Sequence, residues 1–413
     1  NTSDGLFELM FCYDFGTEDV RGLDLVPQYL YYIGTDKKTS AEINKEFYKL
    51  ACSYSIDVND DQMTISLSGL SENMPQALRL LEDFLQNAKA DRESYDNCVS
   101  LLEKTRNDAK TDQKSCFMAL QDYAKYGEYN PVTNTLSIDE LKNADPQALP
   151  DMLKGLNGMK HQVLYFGPYS QKELLALLSK EHKTQKKLAD VPQGKPYTLQ
   201  TITTNTNLIA PYDAKNIYMA EFSNTGKQWN IDETAKMQLF NEYFGGGMNS
   251  IVFQELREAR GLCYSSGAYY YMPSKKGNPE TFRTFIITQN DKMMDCINTF
   301  REIIDTIPQA EGAFNIAKQN LKKSIESLRV TRAGVLKNYL NMQRLGVEEN
   351  LTRKVYEQLP SLTMKDIVDY EKANVVGKPR TRIVLGNEDE LDIKSLEKTG
   401  EVRRLTSKDI FGY

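Results

Sequence analysis

The sequence predicts an α+β protein built from two homologous repeats, each an antiparallel-rich sheet with helices packed on one face. Three observations carry that prediction. A chain of 413 residues is too long for one ordinary core and suits two of roughly 200 each. The same order of strand-like and helix-like stretches runs twice, offset by roughly 210 to 220 residues. Between the copies, residues 184–207 hold Pro192, Gly194, Pro196 and two polar clusters, which read as a linker. The expected units are residues 1–185 and 208–413, joined by 186–207.

In the first copy, residues 6–14 (LFELMFCYD) read as a strand buried on both faces in places. Asp24 can cap a helix that tolerates Pro27 in its first turn and continues to about Tyr32. A second amphipathic helix is expected over 40–54. Strands at 55–58 and 62–70 follow, joined by an Asn-Asp-Asp turn. Residues 74–87 carry Ala77, Leu78, Leu81, Phe84 and Leu85 on one helical face. A longer helical region spans 92–126, short helices lead to a strand at 161–167, and a helix at 171–182 closes the copy. The second copy repeats this order: a strand at 216–222, helices at 231–244 and 249–260, and strands at 265–272 and 281–289. A helix at 293–307, a long helix at 312–345, a strand at 381–386 and a helix at 391–398 complete it.

Hydrophobic residues at 40% and charged residues at 26% describe an ordinary globular chain. No apolar run approaches the roughly 20 residues of a membrane helix, so no membrane partner is expected. Net charge is −6 with no basic stripe, which argues against nucleic acid. The short basic run 180–187 reads as a solvated helix end and linker. Six cysteines are scattered without a C-x-x-C pair, which suits buried small apolar residues and leaves the compartment open. The first residue is Asn1, so the chain is expected to be a processed or trimmed piece of something longer.

The most informative stretch is 244–271, FGGGMNSIVFQELREARGLCYSSGAYYY. Gly245, Gly246 and Gly247 permit positive φ, and Asn249 or Ser250 can cap a helix. Val252, Leu256 and Ala259 fall at helical spacing with Phe253 widening the stripe, and Gly261 supplies a left-handed stop. Aromatic residues from Tyr264 onward read as a strand. Neither Arg257 nor Arg260 has a carboxylate three or four residues away, so a partner from elsewhere is expected for each. A salt bridge to another segment or a solvated arginine is the plainer alternative.

The run L-R-E-A-R-G-L-C-Y, behind Gly-rich residues and a short helix, resembles the last domain of the pitrilysin (insulysin) family of inverted zinc peptidases. The resemblance covers nearly the whole chain. It implies that Arg257 and Tyr264 reach across an enclosed chamber to substrate at a zinc site carried by an N-terminal half. Such a site needs His-x-x-Glu-His, two imidazoles for the metal and a carboxylate for the water. The frame of that segment is present here, from Gly22-Leu23 to Gly34-Thr35, and puts Leu25 and Tyr29 at the histidine positions and Gln28 at the glutamate. None of the three can do that work. The two histidines lie elsewhere: His161 starts a strand, and His182 ends a lysine-rich helix where a cation suits the dipole. No phosphate loop or nucleophile elbow appears, and Asp60–Asp61 and Asp389–Glu390 read as turn and cap residues.

The resemblance thus implies the non-catalytic half, third and fourth domains, of a zinc metalloendopeptidase. It implies no metal or catalytic residue in this chain and zinc in the N-terminal half. The implied partners are that half, on the same polypeptide or a separate chain, and an unfolded peptide that adds a strand to an exposed sheet edge. A second copy of the chain is an admissible partner. The alternatives are a structural or partner subunit without peptidase activity, and peptide binding without cleavage.

Overall fold

The computed structural model describes residues 4–413. The first half contains strands β1 (Leu6–Tyr13), β2 (Gly34–Thr35), β3 (Cys52–Val58), β4 (Met63–Leu70), β5 (Ala88–Lys89) and β6 (Gln162–Phe166). The main sheet runs β3-β4-β1-β6, antiparallel throughout, while β2 and β5 pair separately. Its longer helices are α1 (Ser40–Lys49), α2 (Met74–Asn87), α3 (Arg92–Ala109), α4 (Gln113–Tyr126) and α5 (Gln171–Glu181). Phe7, Leu9, Phe11 and Tyr13 of β1 pack toward α2, which answers with Ala77, Leu78, Leu81 and Phe84 at the spacing the sequence shows.

The second half contributes β7 (Thr206–Pro211), β8 (Asn216–Ser223), β9 (Cys263–Tyr271), β10 (Thr281–Gln289), β11 (Thr381–Gly386) and β12 (Glu401–Arg404). They form one sheet in the order β12-β7-β11-β8-β10-β9, antiparallel except where β7 pairs with β11 and β12. Its principal helices are α6 (Thr234–Phe240), α7 (Met293–Asp305), α8 (Glu311–Glu326) and α9 (Arg332–Leu345). No helix among the described residues is long and apolar enough to cross a membrane.

The α+β, antiparallel-rich architecture is the predicted one, with several corrections. The helix expected over 40–54 stops at Lys49, because Ala51 turns left-handed at φ 49 and Cys52 already belongs to β3. Each long helix is broken in two. Asp112 caps α4 by accepting from Ser115 N, and Thr331 caps α9 by accepting from Gly334 N. Strands β7 and β12 were not anticipated; β7 begins inside the Thr/Asn-rich stretch that composition marks as linker, and β12 is largely exposed.

Helices do not stay on one face. Past its break, α4 crosses to the second sheet, where Phe117, Leu120 and Ala124 meet Leu208, Ala220, Phe222 and Ile383. In return α9 lays Leu336 and Leu340 on Met10 and Cys12, the far face of β1. The halves are further clamped at Asp61, which accepts from Arg344 Nη2 at 2.6 Å and Lys275 Nζ at 2.9 Å. Asp61 is therefore more than a turn residue. Burial pushes its carboxyl up, but the bonds from Lys275 and Arg344 outweigh this and hold it below the usual range.

Candidate functional site

The stretch around Arg257 is positioned by irregular backbone. After α6 the chain widens into a π-turn, Asn241–Gly245, and a second π-turn, Gln254–Ala259, follows the short helix Ile251–Phe253. Ser250 is the cap, its Oγ accepting from Phe253 N at 3.3 Å. The glycine run works differently from expectation. Only Gly247 takes a positive φ, of 80°, whereas Gly245 is needed because a Cβ there would overlap the Ala268 carbonyl of β9. Gly261 is left-handed as predicted, at φ 59°. Val252 and Leu256 are buried, but Ala259 is exposed, since the wider turn rotates it off the apolar stripe.

The two arginines part company. Arg260 forks onto Glu302 of α7 at 3.0 and 3.1 Å and reaches Thr299 at 3.1 Å, with Glu255 at 3.6 Å across the π-turn. The plainer reading holds for it: a salt bridge to another segment. Arg257 has no carboxylate within hydrogen-bonding distance among the described residues; Glu258 approaches only to 3.9 Å. Its guanidinium instead lies 5.0 Å from the Phe253 ring and 5.8 Å from the Tyr264 ring.

Tyr264 is 76% exposed. The cause is a β-bulge. Ile287 of β10 faces Ser265 and Thr288 faces Cys263, leaving Tyr264 as the extra residue. Cys263, Ala268 and Tyr270 are all buried despite an odd spacing of Cys263 from Ala268, which only a bulge allows. That broken alternation is the sequence signal that could have located it. The outer edge of β9 is closed at its far end, where the Asn241 amide accepts from Tyr270 N at 2.7 Å and donates to Tyr270 O at 2.8 Å.

The zinc-motif frame is packed as core. The expected helix is a single turn, Val26–Tyr29, preceded by a 3₁₀ turn after left-handed Gly22, and Asp24 caps nothing. Leu25 and Tyr29 are buried and Gln28 is half-buried. Burial pushes the Tyr29 phenol up to about 12, so it offers no anionic oxygen, and its hydroxyl has no hydrogen-bond partner. Among the described residues no group of three or more His, Cys, Asp or Glu side chains is placed to hold a metal. The residues present do not fit zinc.

The histidines lie where the sequence places them, His161 directly before β6 and His182 at the C-cap of α5, but they are packed together. His182 is buried, with Nδ1 2.6 Å from Glu82 Oε1 of α2 and Nε2 3.0 Å from His161 Nε2. His161 Nδ1 lies 2.8 Å from the Met159 carbonyl, which can only accept, so that nitrogen carries the proton. Burial pulls the His161 imidazole below its ordinary value, against the Met159 hydrogen bond that raises it. Both rings pack on β1, His182 on Phe11 at 4.5 Å and His161 on Tyr13 at 5.0 Å. A buried acid therefore answers His182, and the helix dipole does not have to.

Residues 161–321 match the family described as peptidase M16 inactive domain. Over 328 residues, 76% of each chain, the sequence is 21% identical to an uncharacterized zinc protease of Rickettsia bellii. A peptidase M16 inactive domain from Pseudomonas fluorescens has the same fold, with a TM-score of 0.72 at 15% identity over 97% of this chain and 94% of that one. The periplasmic protease PqqL from Escherichia coli aligns at a TM-score of 0.74 and 11% identity, over 93% of this chain but only 43% of its own length. Fold and site together define a peptidase-like half without the catalytic motif. Residues 161–321 are similar to the inactive domain of M16, pitrilysin-like peptidases, and the chain as a whole shares the fold of such domains.

Proposed function

We propose that this chain closes the chamber of a zinc metalloendopeptidase and holds unfolded peptide for cleavage at a site in a separate catalytic half. One observation carries the reading: the bulge in β9 turns Tyr264 out to solvent beside Arg257, and neither is tied up by a carboxylate. A phenol and a guanidinium presented together, on backbone made irregular to present them, suit an oxygen that gains negative charge. Tyr264 donates its hydroxyl to the scissile carbonyl, and Arg257 holds the peptide backbone or the same oxygen. Zinc in the catalytic half supplies the activated water, and none of the described residues of this chain is placed to bind it.

Removing one such donor costs on the order of 10²–10³ in kcat. With the catalytic half present, Tyr264→Phe should slow turnover by roughly that factor and leave zinc content unchanged. An unaltered kcat would remove Tyr264 from the chemistry. Structures of this fold occur both at about this length, as in the Pseudomonas domain, and within a longer chain, as in PqqL, so the catalytic half is sought both on the same polypeptide and on a separate one. Co-purification of a second chain bearing His-x-x-Glu-His distinguishes them.

A further inference from the structure

The inner face of the second sheet is only partly covered. Helix α4 packs over β11 and β8, and its Phe117 ring reaches Tyr218 at 5.5 Å and Phe285 at 6.0 Å. Beyond that line the face of β10 is half-buried, and β9 exposes Tyr269 and Tyr271. Register places Arg283 opposite Tyr269 and Phe285 opposite Gly267 on this face, all between α4 and the outer strand. Cavities of about 440 and 300 Å³ lie along this line and share Lys125 and Arg283 in their walls. Met118 and Tyr271 in their walls are exposed, as is Tyr269, whose ring lies 6.2 Å from that of Tyr271.

Arg283 is the anomaly in this groove. It is half-buried over the Phe222 ring at 5.6 Å, pairs with no carboxylate among the described residues, and its Nε is buried without a hydrogen-bond partner. The acid on the α4 wall, Asp122, is engaged by Lys125 at 3.4 Å. A guanidinium partly out of water and unpaired carries a desolvation penalty that an incoming anion relieves. An apolar floor around it selects a chain with apolar neighbours. Five residues separate Tyr264 from Tyr269, about 16 Å along a strand.

Resting on the peptide-binding reading above, we propose that this groove receives an extended segment of the substrate, with Arg283 taking an Asp or Glu side chain about five residues from the backbone held at Arg257 and Tyr264. The occupant is an unfolded peptide with one acidic residue among apolar ones.

The test uses the full chain and two labelled, amidated peptides of about 12 residues that differ only in one Glu or Gln, titrated by fluorescence anisotropy. The Glu peptide should bind about tenfold more tightly, because a charge-assisted bond to a half-buried guanidinium exceeds a neutral one. Added salt should shrink that preference. Arg283→Gln should erase it and leave the Gln-peptide affinity in place, whereas Arg283→Lys should keep part of it. Equal affinities in the unaltered chain, or a preference that survives Arg283→Gln, would overturn the subsite; the comparison within the unaltered chain stands even if the variant does not fold. Binding of neither peptide would instead defeat the peptide-binding reading itself.

Discussion

Two stretches of this chain occupy places where the resemblance puts peptidase machinery, and they have gone opposite ways. Residues 22–35 keep the glycine-bounded frame of a zinc motif, yet Leu25 and Tyr29 are turned into the first core with the hydrophobes around them. Residues 244–271 are irregular at almost every step, with two π-turns, two left-handed glycines and a bulge, and the product is an exposed Arg257–Tyr264 pair. In the first stretch, regular packing occupies the positions to which the resemblance assigns chemistry. In the second, local rules of helix and strand are broken in a way that presents side chains, the usual mark of a functional segment.

The comparison breaks most visibly if the first stretch is asked to be a metal site again. The triple change Leu25→His, Gln28→Glu, Tyr29→His puts polar groups into packed positions and should cost about 4 kcal/mol or more. Urea denaturation and metal analysis check it; one tightly held zinc per chain at undiminished stability would contradict the core reading. In the second stretch Gly245→Ala should cost about 3 kcal/mol, since neither the π-turn nor the β9 carbonyl can retreat. Gly247→Ala has open space around it and only the φ penalty, about 1 kcal/mol. Equal losses for the two would show that the approach to β9 is not tight.

The smallest effect concerns the Glu82–His182–His161 chain behind the first sheet. The pKa of His161 is lowered on folding, so the unfolded chain takes up its proton first and stability falls as pH drops below the ordinary histidine value of 6.5. A second proton would also set two N–H groups against each other across the 3.0 Å contact. Thermal unfolding at pH 7.5 and 5.5 should show a loss that His161→Gln reduces. An identical slope in the variant would acquit this histidine.

Much of the fold was legible because its signals are local. Strands β10 and β11 lie where the sequence places them, and the repeat is visible from element order alone. The pairing of Arg257 with Tyr264 was also recoverable, from spacing and resemblance. What escaped was set by distant partners or by non-standard turns. Glu302 is 42 residues from Arg260, and Glu82 is 100 from His182, so no local rule could match them. Helical templates assume neighbours at three and four residues, and the π-turn moved Ala259 out of that pattern and set Glu255 beside Arg260, five residues on. β7 was hidden by a composition rich in threonine and asparagine, whose role as a strand depends on β11 beside it.

Because α4 and α9 are traded between the sheets, neither half owns its complete shell. Pulling the sheets apart would strip two apolar seams at once and break the clamp at Asp61. The two sheets are therefore held as one body, and the proposed peptide binding has to proceed without their separating.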